Sequence, residues 1–242
     1  MRIKILKNVK KNFGLKIKEI ESLQKIIEKK NQKMIAGNLT KNDIFLLKIN
    51  KSSLVIMLYG FVERLISVVV NEIYSHLKKE NNLNYSMLLP SLKRHITDNL
   101  MKIADSKRKG WFDSQGDFLY HDLYNQKNFP ILHCLLIDYD GIKKPMCISD
   151  NIKYNQIKDI FTDFKLGNIC HLKGEFLSPT LESLLRARNI LSHGGKSFEE
   201  YGGTINLEDL KKWIKDIKNM YNTIIPCVES YLVGRKYISH EH

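Results

Sequence analysis

The chain has 242 residues and carries 39 Lys and Arg against 26 Asp and Glu, a formal net charge of +13. That length is enough to bury a substantial core in one domain, or in a domain with an insertion, and the apolar and charged fractions exclude collagen-like, low-complexity and disulfide-stapled chains. The positive excess favours a polyanionic partner, RNA or DNA first and an acidic protein second, although lysines that merely solvate helix surfaces produce the same balance. The four cysteines, Cys134, Cys147, Cys170 and Cys227, form no CxxC pair, which points to reduced thiols. His133-Cys134 and Cys170-His171 fit no standard zinc spacing. The first seven residues lack the continuous apolar segment of a secretory signal, and Glu63 and Arg64 interrupt the longest apolar run, Leu54 to Val70, making it a poor membrane span. A cytoplasmic protein without membrane contact is expected.

In chain order, Leu15, Ile20, Leu23, Ile26, Ile27, Met34 and Ile35 alternate with charged residues and predict an amphipathic helix ending at Gly37-Asn38. Thr40 to Asp43 offers N-cap chemistry for a long helix over about 42–80. The stripe Leu54, Leu58, Phe61, Leu65 and Val69, widened by Val55, Val62, Ile66 and Ile73, marks it as the central core helix. Glu63 lies about half a turn from that stripe, where a solvated charge is the ordinary reading. Ser86 to Ala104 is again helix-like, and a basic turn leads to Trp111, which suits a buried anchor better than a base-stacking residue. Residues 81–150 read as an irregular insertion between core helices.

A further helix over 152–166 is marked by Ile157, Ile160, Phe161 and Phe164, with Gly167-Asn168 as its stop. Ser178-Pro179 supplies an N-cap and a first helical residue for a helix over 179–193, whose core contacts are Leu181, Leu184, Leu185 and Leu191. Gly194-Gly195 ends it. After a loop over Lys196 to Gly203, Asn206 and Asp209 resemble a capping box opening a final helix over 207–232. Its core face runs through Leu210, Ile214, Ile217, Met220, Ile224, Val228 and Tyr231, and Pro226 is expected to bend it or to end its first segment.

The end of the helix over 179–193 carries chemistry. Arg188 is permanently charged and matches phosphate oxygens, whereas His193 sits at the negative end of the helix dipole, which favours its protonated form. Five residues separate them, roughly 140° about an ideal helix axis, so the helix is expected to fray or tighten at Ser192-His193 and let the imidazole turn. A cation and a group that takes or donates protons are what metal-free RNA cleavage by the 2'-hydroxyl needs. One histidine per chain is few for two proton transfers, and a symmetric dimer would supply two. Spacing alone is weak, since arginine and histidine near a helix end are common.

Arg188-Asn189-Ile190-Leu191-Ser192-His193-Gly194 resembles the R-(polar)-x-x-x-H signature of HEPN-domain proteins. The stretches 197–203, 207–211, 228–232 and 236–238 resemble the C-terminal half of the MAE-type subgroup, and Tyr59 to Glu63 resembles its first core helix with an acidic residue. The resemblance covers about Ile152 to the end and, more loosely, Leu47 to Lys79. It implies an all-α antiparallel bundle, one HEPN-like domain over 1–242 with 81–150 inserted, dimerising so that two R-x4-H motifs face each other. It also implies a metal-independent endoribonuclease without cofactor, often the toxin of a toxin–antitoxin or phage-defence system with an antitoxin or defence partner. Arg188 and His193 carry over as catalytic, with Asn189, Glu63 and Ser192 supporting. Two other readings compete: a non-catalytic RNA-binding or regulatory HEPN module, and a helical interaction domain whose basic surface binds an acidic antitoxin.

Overall fold

A computed structural model describes residues 6–80, 83, 85–94, 152–166 and 174–239. The ordered elements are α1 (Lys7–Ile35), α2 (Lys41–Lys78), a 3₁₀ turn (Tyr85–Met87), α3 (Tyr154–Asp163), α4 (Gly174–Ser192), α5 (Phe198–Gly203) and α6 (Leu207–Val233). The described part is thus a helical bundle, as expected, and its extended pairing is one isolated antiparallel bridge, Leu88 with Ile238. The expected helix over Ser86–Ala104 is corrected at its start: the 3₁₀ turn and the bridge come first, and helical backbone begins at Pro90, a residue suited to a first helical position. The rest of that segment, Trp111 and most of 81–150 lie outside the described residues, as do Cys134, Cys147, Cys170 and Gly167-Asn168.

The bundle is organised around α2. Thr40 caps it: Asp43 N donates to Thr40 Oγ1 at 3.1 Å, and the Asp43 carboxylate accepts from the Thr40 backbone and hydroxyl. Leu54, Leu58, Phe61, Leu65, Val69 and their neighbours Val55, Val62, Ile66 and Ile73 are all buried, in one cluster shared with the other described helices. By length and composition alone α2 is apolar enough to cross a membrane, contrary to the expectation from Glu63 and Arg64. More than half of that window is buried against other helices, which accounts for its apolar character without a bilayer.

Packing selects different faces from those that periodicity alone suggested. In α1, which starts at Lys7, the buried residues are Val9, Phe13, Ile20 and Ile27, while Leu15, Ile26, Met34 and Ile35 are exposed. Phe13, Phe61 and Tyr221 form an aromatic triangle with centroids 5.1–6.1 Å apart, and it ties α1 to α2 and α6. α4 begins at Gly174, so Pro179 lies inside it and not at its first position. Thr180 Oγ1 donates to Asp216 Oδ2 at 2.6 Å and joins α4 to α6. α6 continues through Pro226, which is exposed along with Asn222, so water can satisfy the carbonyl that the missing N–H leaves free. At its start the Asn206 side chain accepts from Asp209 N at 2.7 Å, and its own amide donates to Asp209 Oδ2 at 2.6 Å. The return bond thus comes from the side chain, not from the backbone of a true capping box.

After two helices the left-handed position is taken by a residue other than glycine. α3 stops at Asp163, before the expected Gly167, because Lys165 adopts φ 51° and Leu166 N reaches back to the Phe161 carbonyl at 2.7 Å. Arg235 does the same after α6, with φ 48°. The segment that follows is fastened at Glu80, whose carboxylate accepts from Tyr237 Oη and from Arg235 Nη2 at 2.6 Å.

The stretch 196–203, expected as a loop, contains the short helix α5. Ser197 and Glu200 form its capping box. It is docked on the first half of α2: Lys48 Nζ meets Glu199 at 3.0 Å, Ser52 Oγ donates to the Phe198 carbonyl at 2.7 Å, and buried Lys51 donates to the Ile205 carbonyl at 2.8 Å. A Cβ on Gly202 would sit 1.8 Å from the Lys48 carbonyl oxygen, so only glycine permits this approach. This docking clamps the chain immediately after the α4 exit.

Candidate functional site

The C-terminal turn of α4 faces two ways. Arg188 and Asn189 are half-buried, and Ser192 and His193 are exposed. Arg188 Nη1 donates to Asn189 Oδ1 at 3.2 Å, and its Cζ lies 5.9 Å from the centroid of the Tyr59 ring on α2. A guanidinium over an aromatic face gains cation–π attraction and is restrained in orientation. Tyr59 is itself fixed: it is 2% exposed and its Oη accepts from Ile152 N at 3.0 Å. Glu63, also half-buried, follows Tyr59 by one helical turn and therefore shares its face of α2.

The expectation that the helix loosens before His193 is corrected. His193 N donates to the Asn189 carbonyl at 3.1 Å, so the α-helical ladder holds up to the histidine, which becomes the C-cap. The reversal comes one residue later. Gly194 has φ +71°, and Gly195 N reaches the Ile190 carbonyl at 2.9 Å. With a regular backbone to this point, Arg188 and His193 leave the helix axis roughly 140° apart. The structure therefore groups Arg188, Asn189 and Tyr59 as one packed set and presents His193, beside Ser192, to the outside.

A groove of about 660 Å³ runs beside this set, between the start of α3 and the middle of α4. Its lining includes Lys153, Tyr154, Ser178, Glu182, Arg186 and Asn189. Asn189 is the link, since it lines the groove and accepts from Arg188. Arg186 also lies near Tyr201 on α5: burial raises that phenol above its ordinary range, and the Arg186 charge opposes the rise. Among the described residues no group of three or more His, Cys, Asp or Glu side chains is placed to hold a metal ion.

Sequence reasoning missed the support from Tyr59 and the flanking cations Lys153 and Arg186. Arg186 stood in plain view two positions before Arg188, but nothing local distinguishes it from a solvated surface arginine. Lys153 and Tyr154 come from the N-cap and first residue of α3, so only the fold brings them to the same groove.

No curated protein and no solved structure gives a significant match to the chain. A family model described as RiboL-PSP-HEPN matches residues 12–230, almost the whole chain. It names that HEPN family and not the MAE-type subgroup that the C-terminal residues resemble. Such a match points to a nuclease or RNA-related module. The helical bundle built on α2 agrees with it, and the chain belongs to the HEPN superfamily, in the family described as RiboL-PSP-HEPN.

Proposed function

We propose that the protein is a metal-independent endoribonuclease acting as a cytoplasmic homodimer, the toxin of a toxin–antitoxin or phage-defence system. The observation that carries this reading is Arg188, a permanent cation held half-buried between the Asn189 amide and the Tyr59 ring, close along the helix to an exposed His193. In the proposed reaction the 2'-oxygen of a ribose attacks the adjacent phosphorus and the bond to the leaving 5'-oxygen breaks. A base takes the 2'-hydroxyl proton and an acid protonates the 5'-oxygen, leaving a 2',3'-cyclic phosphate and a 5'-hydroxyl. Arg188 stabilises the charge that develops on the non-bridging oxygens. His193 performs one proton transfer, and its exposure leaves it accessible to RNA and to the same residue of a second copy, which would perform the other.

Purified protein should cleave RNA in EDTA, with activity reduced by about a hundredfold or more in Arg188→Ala and His193→Ala. Undiminished cleavage by both variants, or products ending in a plain 3'-hydroxyl, would overturn the reading. A non-catalytic RNA-binding or regulatory module is the second reading, favoured by the cations flanking the groove. It predicts salt-dependent binding without turnover in the same assay.

A further inference from the structure

We infer that the groove between the start of α3 and α4 is the subsite that holds a nucleotide of single-stranded RNA next to the phosphate being cut. The inference takes its ligand from the ribonuclease reading. Its location is set by Asn189, which forms part of the groove wall and also accepts the hydrogen bond from Arg188. A nucleotide seated there is next to the side chain that Arg188 contacts.

The volume, about 660 Å³, is in the range of sites that take a molecule of nucleotide size. The chemistry suits one as well. Lys153 and Arg186 bring positive charge to the groove from two different helices, both are exposed, and neither is in an ion pair among the described residues. The arginine fork matches phosphate oxygens, and the lysine adds a second positive charge to the same groove. Tyr154 offers an aromatic ring for stacking, the usual way of holding an unpaired base. The one carboxylate of the lining, Glu182, accepts from Ser178 Oγ at 3.3 Å and provides an acceptor suited to base amino groups.

The test separates binding from cleavage by using a fluorescent 2'-O-methyl RNA oligonucleotide, which lacks the nucleophile and cannot be cut. Its affinity is measured over a salt series for the wild type, for Lys153→Ala/Arg186→Ala, and for Lys212→Ala/Lys215→Ala as a charge-matched control on the exposed face of α6. The groove variant should bind about tenfold more weakly, with a salt slope shallower by about 1.4, the value for two lost phosphate contacts on a single strand. The control should remain within about twofold of wild type. Wild-type affinity in the groove variant, an equal loss in the control, or failure of the wild type to bind the probe would each overturn the inference. Persistence of the groove dependence while unmodified RNA stays intact would support the groove and refute the ribonuclease reading instead.

Discussion

Tyr59 does two things with one side chain. Its hydroxyl satisfies the backbone N–H of Ile152, and its ring face lies under Arg188. The two contributions separate by substitution. Tyr59→Phe strands a buried donor and should lower stability by about 1–3 kcal/mol while keeping the ring. Tyr59→Leu also removes the cation–π contact, and kcat/KM for RNA cleavage should fall a further three- to tenfold or so. Equal cleavage by the folded fractions of both variants would show that the ring does not position the arginine. His76 gives a pH dependence. Burial holds it below its ordinary 6.5, and the Glu80 carboxylate at 3.7 Å opposes that shift without outweighing it; Lys79 and Arg235 reinforce it. The unfolded chain therefore binds this proton more readily than the folded one. The stabilisation is present above pH 6.5 and is lost as pH falls through the lower folded value. Chemical denaturation of His76→Phe at several pH values should show a flatter acid side than the wild type.

Helix α5 is only six residues long, and it holds the chain that leaves α4 against α2. Such a segment has too little length to be stable by itself, and its capping box and its docking on α2 hold it in place. Gly202 is the point of closest approach, where an added methyl group meets the Lys48 carbonyl. Gly202→Ala should cost about 1–3 kcal/mol in denaturant melts, because the neighbouring atom is backbone and cannot swing away. Gly203→Ala, next to it, would meet only the end of the flexible Lys48 side chain, at 3.8 Å, and should cost far less. A similar cost for both would mean that α5 does not dock as closely as described.

In the assembled molecule the separation of Arg188 from His193 has a consequence. On the ribonuclease proposal, a packed arginine and an outward histidine, diverging around one helix, would form half of a site that a symmetric pair completes. Co-expression of wild type with an equal amount of His193→Ala tests this. If both histidines of a dimer are required, activity should fall to about a quarter, the fraction of wild-type pairs; independent subunits would retain about half. The latter result would remove the composite site while leaving the chemistry of each motif in place.

The local signals were readable from residues alone. The α2 stripe, the caps at Thr40 and Asn206 and the left-handed exit at Gly194 each depend on neighbours within a turn or two, so a linear pattern contains them. The R-x4-H spacing was visible for the same reason. What lay beyond reach depends on contacts between distant segments. Of the apolar residues that periodicity marks in α1, Ile20 and Ile27 are buried, but Leu15, Ile26, Met34 and Ile35 are exposed and Val9 and Phe13, before the expected stripe, are buried as well, because which face is covered is decided by what packs on it. The early start of α4 and the non-glycine turn at Lys165 were missed because tertiary packing can overcome weak local preference, whereas α5, although Ser197 and Glu200 mark its start locally, is too short to be told from a loop without its docking on α2. Chain chemistry thus supplied the catalytic candidates, a fixed cation and a titratable imidazole at a helix end. Folding determined that Arg188 rests on Tyr59, that Lys153 and Arg186 border one groove and that His193 faces outward, because those relations exist only once separate helices share a core.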